Sequence, residues 1–135
     1  RVDFVCAGHP GPVQVRPGEP PRQHQPSAFP IGVGDEPYVS TSLRVAPGDR
    51  LFFFSDGLLE TRRGGDGEAF GLGRLNPLLA REEAIETVLE EVLDRLRAWA
   101  GGALEDDASL VAAEFRGGGG GTKPHPRTQR NLCDL

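Results

Sequence analysis

The chain contains no Met, one Trp, one Tyr and two cysteines in 135 residues. Cys6 and Cys133 form neither a disulfide framework nor a metal-type spacing, so a reduced, cytoplasmic setting is expected. No apolar run approaches the roughly eighteen residues needed to cross a bilayer, and no signal peptide precedes the first strand. A soluble piece without a membrane partner is therefore expected. A basic stripe is also missing. The last nineteen residues carry Lys123, Arg127 and Arg130 against Asp134, so the formal charge of -5 leaves -7 for residues 1–116. An acidic body of this kind argues against nucleic-acid binding driven by phosphate contacts. The length suits one domain with a modest core. A start at Arg1 with no Met anywhere reads as a fragment or a processed piece.

The most informative stretch is Leu51 to Thr61, LFFFSDGLLET. Four apolar residues followed by Ser55-Asp56-Gly57 describe a buried strand that stops at a carboxylate on a tight turn. Glu105-Asp106-Asp107 is the mirror arrangement, because there the acids come first and Ser109 to Phe115 then reads as a strand. If the two strands are antiparallel neighbours, Asp56 and Asp106 meet at one end of the sheet. Carboxylates that close repel each other and raise each other's pKa unless a cation lies between them. Hard divalent ions with oxygen ligands meet that need.

Each signal has a plainer reading when taken singly. Asp after a strand is commonly a turn former or helix cap, and doubled acids are commonly a solvated loop. His9, in the Gly-Pro-rich GHPGP connection, has no partner at acid-base spacing and reads as a structural turn residue. Glu60 could orient a metal-bound water but reads first as a surface or capping carboxylate. Arg62 and Arg63 lie in a glycine-rich loop expected to be mobile; they could meet a phosphoprotein, yet solvated charges are the more frequent case.

Along the chain, Val2–Ala7 and Val13–Val15 read as short strands. The proline-rich stretch from Arg16 to Pro30 can hold neither a helix nor a central strand. Phe29-Pro30-Ile31-Gly32-Val33 then reads as a turn that seats Ile31 in the core. Tyr38 to Val45 alternates as a half-buried strand, and Ala46-Pro47-Gly48-Asp49 predicts a hairpin turn into Leu51 to Phe54. Phe70 to Ala80 reads as a short helix. Glu82 to Ala100 reads as a long one whose stripe of Ile85, Val88, Leu89, Val92, Leu93, Leu96 and Trp99 packs on a sheet, ended by Gly101-Gly102. Residues 117–135, with five consecutive glycines and almost no apolar content, are expected to be a disordered tail.

The order CAGHP, FPIGV, SDGLLET, GEAFGLGRL, an acidic amphipathic helix and EDDASLVAAEF resembles the metal-dependent type 2C (PPM) serine/threonine phosphatases, in particular the bacterial SpoIIE-like subgroup. The resemblance covers residues 1–116. It implies an α+β fold, the C-terminal portion of an α-β-β-α sandwich of antiparallel sheets flanked by helices. In such enzymes strand-end aspartates hold two Mn2+ or Mg2+ ions, and a bridging water attacks a phosphoserine or phosphothreonine phosphorus in line. Carried over by position, Asp56 and Asp106 are the implied metal ligands; Asp107 stands where many relatives have Asn. No side chain is singled out as a catalytic base or covalent nucleophile. The implied partner is a phosphorylated protein such as an anti-sigma factor antagonist.

The family's first aspartate, in an Asp-Gly-x-Gly segment that bridges both ions, has no counterpart after Arg1, and Asp3 lies inside the strand leading to CAGHP. The early strands and helices of the sandwich are missing too. The chain alone is therefore expected to bind metal weakly and to be catalytically incompetent. Two readings stand: the C-terminal part of a protein phosphatase, and an inactive regulatory or binding module of the same fold.

Overall fold

The computed structural model describes residues 1–25, 28–64, 67–102, 104, 106–117 and the backbone of 129–131. Its strands are β1 (Val2–Phe4), β2 (Val13–Val15), β3 (Arg22–Gln23), β4 (Thr41–Leu43), β5 (Arg50–Phe54), β6 (Ser109–Glu114) and β7 (Gln129–Asn131). Its helices are α1 (Asp56–Glu60), α2 (Gly71–Leu79) and α3 (Ile85–Ala100). Five strands form one antiparallel sheet in the order β3-β2-β5-β6-β7, and β1 pairs with β4 in a separate two-stranded sheet.

The apolar run that opens β5 lies at the centre because both of its edges are used. Val13 faces Phe52 across one edge, and Phe52 faces Ala112 across the other. Residues opposite one another share a face, so Val13, Val15, Phe52, Phe54, Leu110 and Ala112 line one side of the sheet. Against that side pack Leu75 and Leu79 of α2 and Ile85, Val88, Leu89, Val92 and Leu96 of α3, all buried. The three-and-four spacing of the α3 residues is what turns the helix into a one-sided wedge. Phe70 meets Trp99 edge-on at 6.3 Å, closing the core at the far end of α3.

The opposite side of the large sheet carries Gln14 and Leu51, and β4 stands across it. Gln14 Nε2 and Arg16 both donate to the Arg44 carbonyl, at 3.0 Å each. The described residues thus form three layers, helices over the large sheet over the small one. This is the mixed helix and antiparallel-sheet architecture expected, without a second helical layer among the described residues.

Several expectations need correction. The turn Ala46–Asp49 does not make a hairpin, because β4 pairs with β1 and the chain crosses between sheets before entering β5. The Asp49 carboxylate holds that crossing. Only 2% exposed, it accepts hydrogen bonds from Gln14 Nε2 at 2.9 Å, the Ala46 amide at 3.0 Å and Arg16 Nε at 3.3 Å. Ile31 is not in the core. It is 82% exposed, beside exposed Phe29, Val33, Tyr38 and Val39, because β1–β4 ends in open edges with nothing laid over this stretch among the described residues.

The long helix begins at Ile85 rather than Glu82, since the Glu83 carbonyl accepts Arg50 Nη2 at 2.8 Å and its carboxylate accepts Arg81. The described part of the Arg62–Gly67 loop is a closed turn, with Arg63 N bonded to the Glu68 carbonyl and Gly67 N to the Arg63 carbonyl. Its arginines are engaged: Arg62 donates to the Gly67 carbonyl, and Arg63 lies 5.4 Å from the centre of the Trp99 ring, which Arg74 also covers at 4.0 Å. Of the stretch expected to be disordered, residues 129–131 pair with β6 as an edge strand. Residues 118–128 and 132–135 lie outside the described residues.

Asp49→Ala removes the acceptor of three donors, one of them from the buried Gln14 side chain. It is expected to lower unfolding free energy by about 2–3 kcal/mol. Chemical denaturation measures this. Leu96→Ala, emptying a fully buried position on α3, is expected to cost about 2–5 kcal/mol in the same assay.

Candidate metal centre at the strand ends

The β5–β6 register pairs Phe54 with Leu110, so the next residues along both chains leave the sheet at the same end. Ser55 fastens that end. Its amide donates to the Ser109 carbonyl at 3.1 Å; its hydroxyl accepts from the Ser109 amide at 2.9 Å and donates to the Asp107 carbonyl at 3.3 Å. Although Ser55 precedes α1, its hydroxyl makes no capping bond to that helix. It is spent instead on joining two strand ends.

Asp56 is the first residue of α1 and is exposed. Its Oδ1 accepts the Gly57 amide at 3.0 Å, which turns the carboxylate back along the chain. Asp106 is exposed on the facing loop, and its Oδ1 accepts the Asp107 amide at 2.7 Å. The two strand ends approach most closely at Gly57, the residue after Asp56. A Cβ built there would lie 2.4 Å from the Asp107 carbonyl oxygen and 3.7 Å from Asp106 Oδ2. Any side chain at position 57 would therefore drive the two strand ends apart. Glycine is needed for close approach, although its backbone is not in the left-handed region.

Asp107 enters the same loop. Its backbone is held from both sides, by Ser55 at the carbonyl and by Asp106 at the amide. Glu105 lies outside the described residues. Glu60 is exposed at the end of α1, and Thr61 Oγ1 closes that helix by donating to the Gly57 carbonyl at 2.7 Å. His9 is exposed, and its ring makes no hydrogen bond among the described residues. The loop that carries it is tied down by its backbone instead, Gly8 N donating to the Ala28 carbonyl at 3.0 Å.

Chemically, this end of the sheet offers carboxylate oxygens in an accessible position, the donor type preferred by hard divalent ions. Among the described residues, no group of three or more Asp, Glu, His or Cys side chains could hold a metal ion. The donors present fit one side of such a site. Six to eight ligands are usual for Ca2+ and about six for Mg2+, so the remaining positions would fall to water or to another segment. The role of Ser55 and Gly57 is what the sequence reading missed. Gly57 had a signal in the Asp-Gly pair, whereas nothing in the residues around Ser55 separates an interstrand clasp from a helix cap.

Among the described residues no helix is long and apolar enough to cross a membrane. Residues 1–116 match the family described as Stage II sporulation protein E (SpoIIE). Among solved structures, the SiaA-PP2C domain of Pseudomonas aeruginosa is similar with a TM-score of 0.69 and 23% identity, over 81% of this chain and 44% of that one. The RsbU and RsbW domains of Rv1364c from Mycobacterium tuberculosis give 0.66 and 28%, over 84% and 33%. The Mn-presoaked phosphatase domain of the cell fate determinant SpoIIE from Bacillus subtilis gives 0.64 and 21%, over 89% and 53%. The chain thus spans between 33% and 53% of the length of these three structures. No curated protein matches it. The match over residues 1–116 and the shared fold make this chain a member of the SpoIIE family, with part of the fold of a PP2C phosphatase domain.

Proposed function

We propose that the chain is the C-terminal part of a metal-dependent protein serine/threonine phosphatase, in which Asp56 and Asp106, with Asp107 beside them, supply ligands to Mn2+ or Mg2+. The observation that carries this reading is that Asp56 and Asp106, fifty residues apart in sequence, stand beside the same end of the β5–β6 pair, where Asp106 Oδ2 lies 3.7 Å from the place a Cβ on Gly57 would take. A purely structural strand end has no physical need of two carboxylates there. Divalent ions in such a site neutralise phosphoryl oxygens and lower the pKa of bound water. The chain's own residues do the positioning. Ser55 fixes the separation of the strand ends, Gly57 permits it, and the Asp56 and Asp106 carboxylates are each aimed by a bond from the next residue's amide.

The substrate class that follows is a phosphorylated serine or threonine on a protein. A bacterial regulatory protein such as an anti-sigma factor antagonist fits the company of SiaA-, RsbU- and SpoIIE-type relatives. The cytoplasm is the corresponding location. A second reading, a non-catalytic regulatory module, draws on one observation: fewer than three candidate ligands stand together among the described residues.

The two readings separate in a version extended at its N-terminus to the length of its structural relatives. Mn2+-dependent hydrolysis of p-nitrophenyl phosphate is expected there, falling at least ~100-fold in Asp56→Asn and in Asp106→Asn. Undiminished turnover in either variant overturns the assignment, and absence of metal-dependent turnover in the unmutated protein establishes the module. Gly57→Ala is expected to lower both activity and thermal stability, because a methyl group displaces the Asp107 carbonyl. Excess Mn2+ is expected to raise the melting temperature of the unmutated protein by mass action and to leave that of the Asp56→Asn, Asp106→Asn double variant unmoved.

A further inference from the structure

At the other end of the large sheet, between β2, β3 and β4, lies a cavity of about 410 Å³ lined by Gln14, Arg16, Arg22, His24, Ser42 and Arg44, among others. Its distance from the carboxylate pair follows from the strand. Gln14 faces Leu51, and Asp56 is five residues further on, roughly 16 Å at about 3.3 Å per residue. One phosphoryl group cannot occupy both places.

The charge of this cavity runs against the charge of the molecule. In a chain of net -5, Arg16, Arg22 and Arg44 line one concavity against a single lining carboxylate, Glu19. Elsewhere Arg50, Arg74, Arg81 and Arg116 each face a carboxylate. Arg16 is likewise balanced, by Asp49 at 3.3 Å and by Glu19 at 4.0 Å. Arg22 and Arg44 are different. Neither guanidinium makes an ion pair or hydrogen bond among the described residues, although both residues line the cavity. An anion in a concavity lined by more cations than anions is stabilised by their field.

The polar floor is pre-arranged. Gln14 Nε2 donates to the Arg44 carbonyl and to Asp49, so Gln14 Oε1 is the acceptor that faces His24 Nε2 at 3.0 Å. His24 therefore carries its proton on Nε2. Burial first, and then the fields of Arg22 and Arg16, hold its pKa below the ordinary histidine value, which keeps the ring neutral at pH 7. Guanidinium forks match phosphate oxygens two at a time. The volume falls in the range of small-molecule sites, about 300–1,000 Å³, with room beyond a bare phosphate ion for an attached organic group.

We infer that this cavity binds the phosphate group of a phosphate monoester, gripped by Arg22 and Arg44 and backed by Arg16. The site stands apart from the acidic strand ends and does not depend on metal, so it holds or fails separately from the phosphatase reading. The test uses the Asp56→Asn chain in the presence of a chelator, with the His24 ring resonances followed by NMR. N-acetyl-O-phosphoserine amide, glycerol 3-phosphate and inorganic phosphate are the three probes.

Saturable displacement of the His24 resonances by the two monoesters is expected, with inorganic phosphate weaker and all three weakened by salt. Arg22→Ala, Arg44→Ala together should reduce affinity at least roughly tenfold while leaving the melting temperature in place, since both side chains are exposed. Stronger binding of the phosphoserine amide assigns the site to a phosphorylated side chain; equal binding of both monoesters assigns it to the phosphate and its ester carbon alone. No saturable shift, or equal affinity in the double variant, overturns the proposal. Inorganic phosphate binding as tightly as the monoesters overturns the assignment of an organic substituent.

Discussion

The antiparallel register of β5 against β6 is the constraint on which everything else rests. With Phe54 opposite Leu110, the apolar side chains of both strands reach the helices, and the acids that follow one strand and precede the other emerge at a common edge. Sheet periodicity is two, so a slip of one residue would turn Phe52 and Phe54 away from α3 and separate the acids in the same step. Burial of aromatic rings on the helix side therefore selects the arrangement at the strand ends, even though no apolar group is part of it. The Ser55 hydroxyl and the missing side chain of Gly57 then refine a separation that core packing has already chosen.

The same strand is secured at its beginning. Asp49 gathers Gln14, Arg16 and the Ala46 amide, and Arg50, next in sequence, reaches the opposite layer. Arg50 donates to the Arg81 and Glu83 carbonyls in the α2–α3 connection, at 3.0 and 2.8 Å, and pairs with Glu114 on β6 at 3.3 Å. Two adjacent charged residues thus tie β5 to the small sheet on one side and to the helices on the other. Breaking a buried arrangement of this type by removing one member costs more than the pair contributes, because the orphaned partners stay desolvated. The sheet is fixed at one end by a polar hub and at the other by a hydroxyl clasp.

Much of this was legible in the sequence, and the parts that were not share a cause. The run Leu51 to Phe54 and the stripe of α3 declare themselves because burial periodicity is local. Placing Asp56 and Asp106 at one sheet edge required only that two consecutive-sheet strands be antiparallel. The hairpin expected at Ala46–Asp49 fails because Pro-Gly turn chemistry specifies a reversal without specifying which sheet receives the next strand. The helix start drifts from Glu82 to Ile85 because Arg50, thirty-odd residues away, takes the Glu83 carbonyl. Arg63 reads as a free loop charge until Trp99 is folded beneath it. The cluster of Arg16, Arg22 and Arg44 was invisible, since a crossing between sheets brings the third to the other two. Each miss is a contact between residues far apart in the chain, which composition and spacing do not encode.

The exposure of Phe29, Ile31, Val33, Tyr38 and Val39, in a chain that also carries a two-stranded sheet, has a colloidal consequence. A pair of strands whose outer edges have no partner among the described residues, in a chain that also exposes large apolar side chains, is a template on which other copies can nucleate. The acidic body supplies long-range repulsion between copies, and added electrolyte screens it within a Debye length. Purified on its own, the chain would therefore stay dispersed best in dilute buffer and clump as ionic strength climbs.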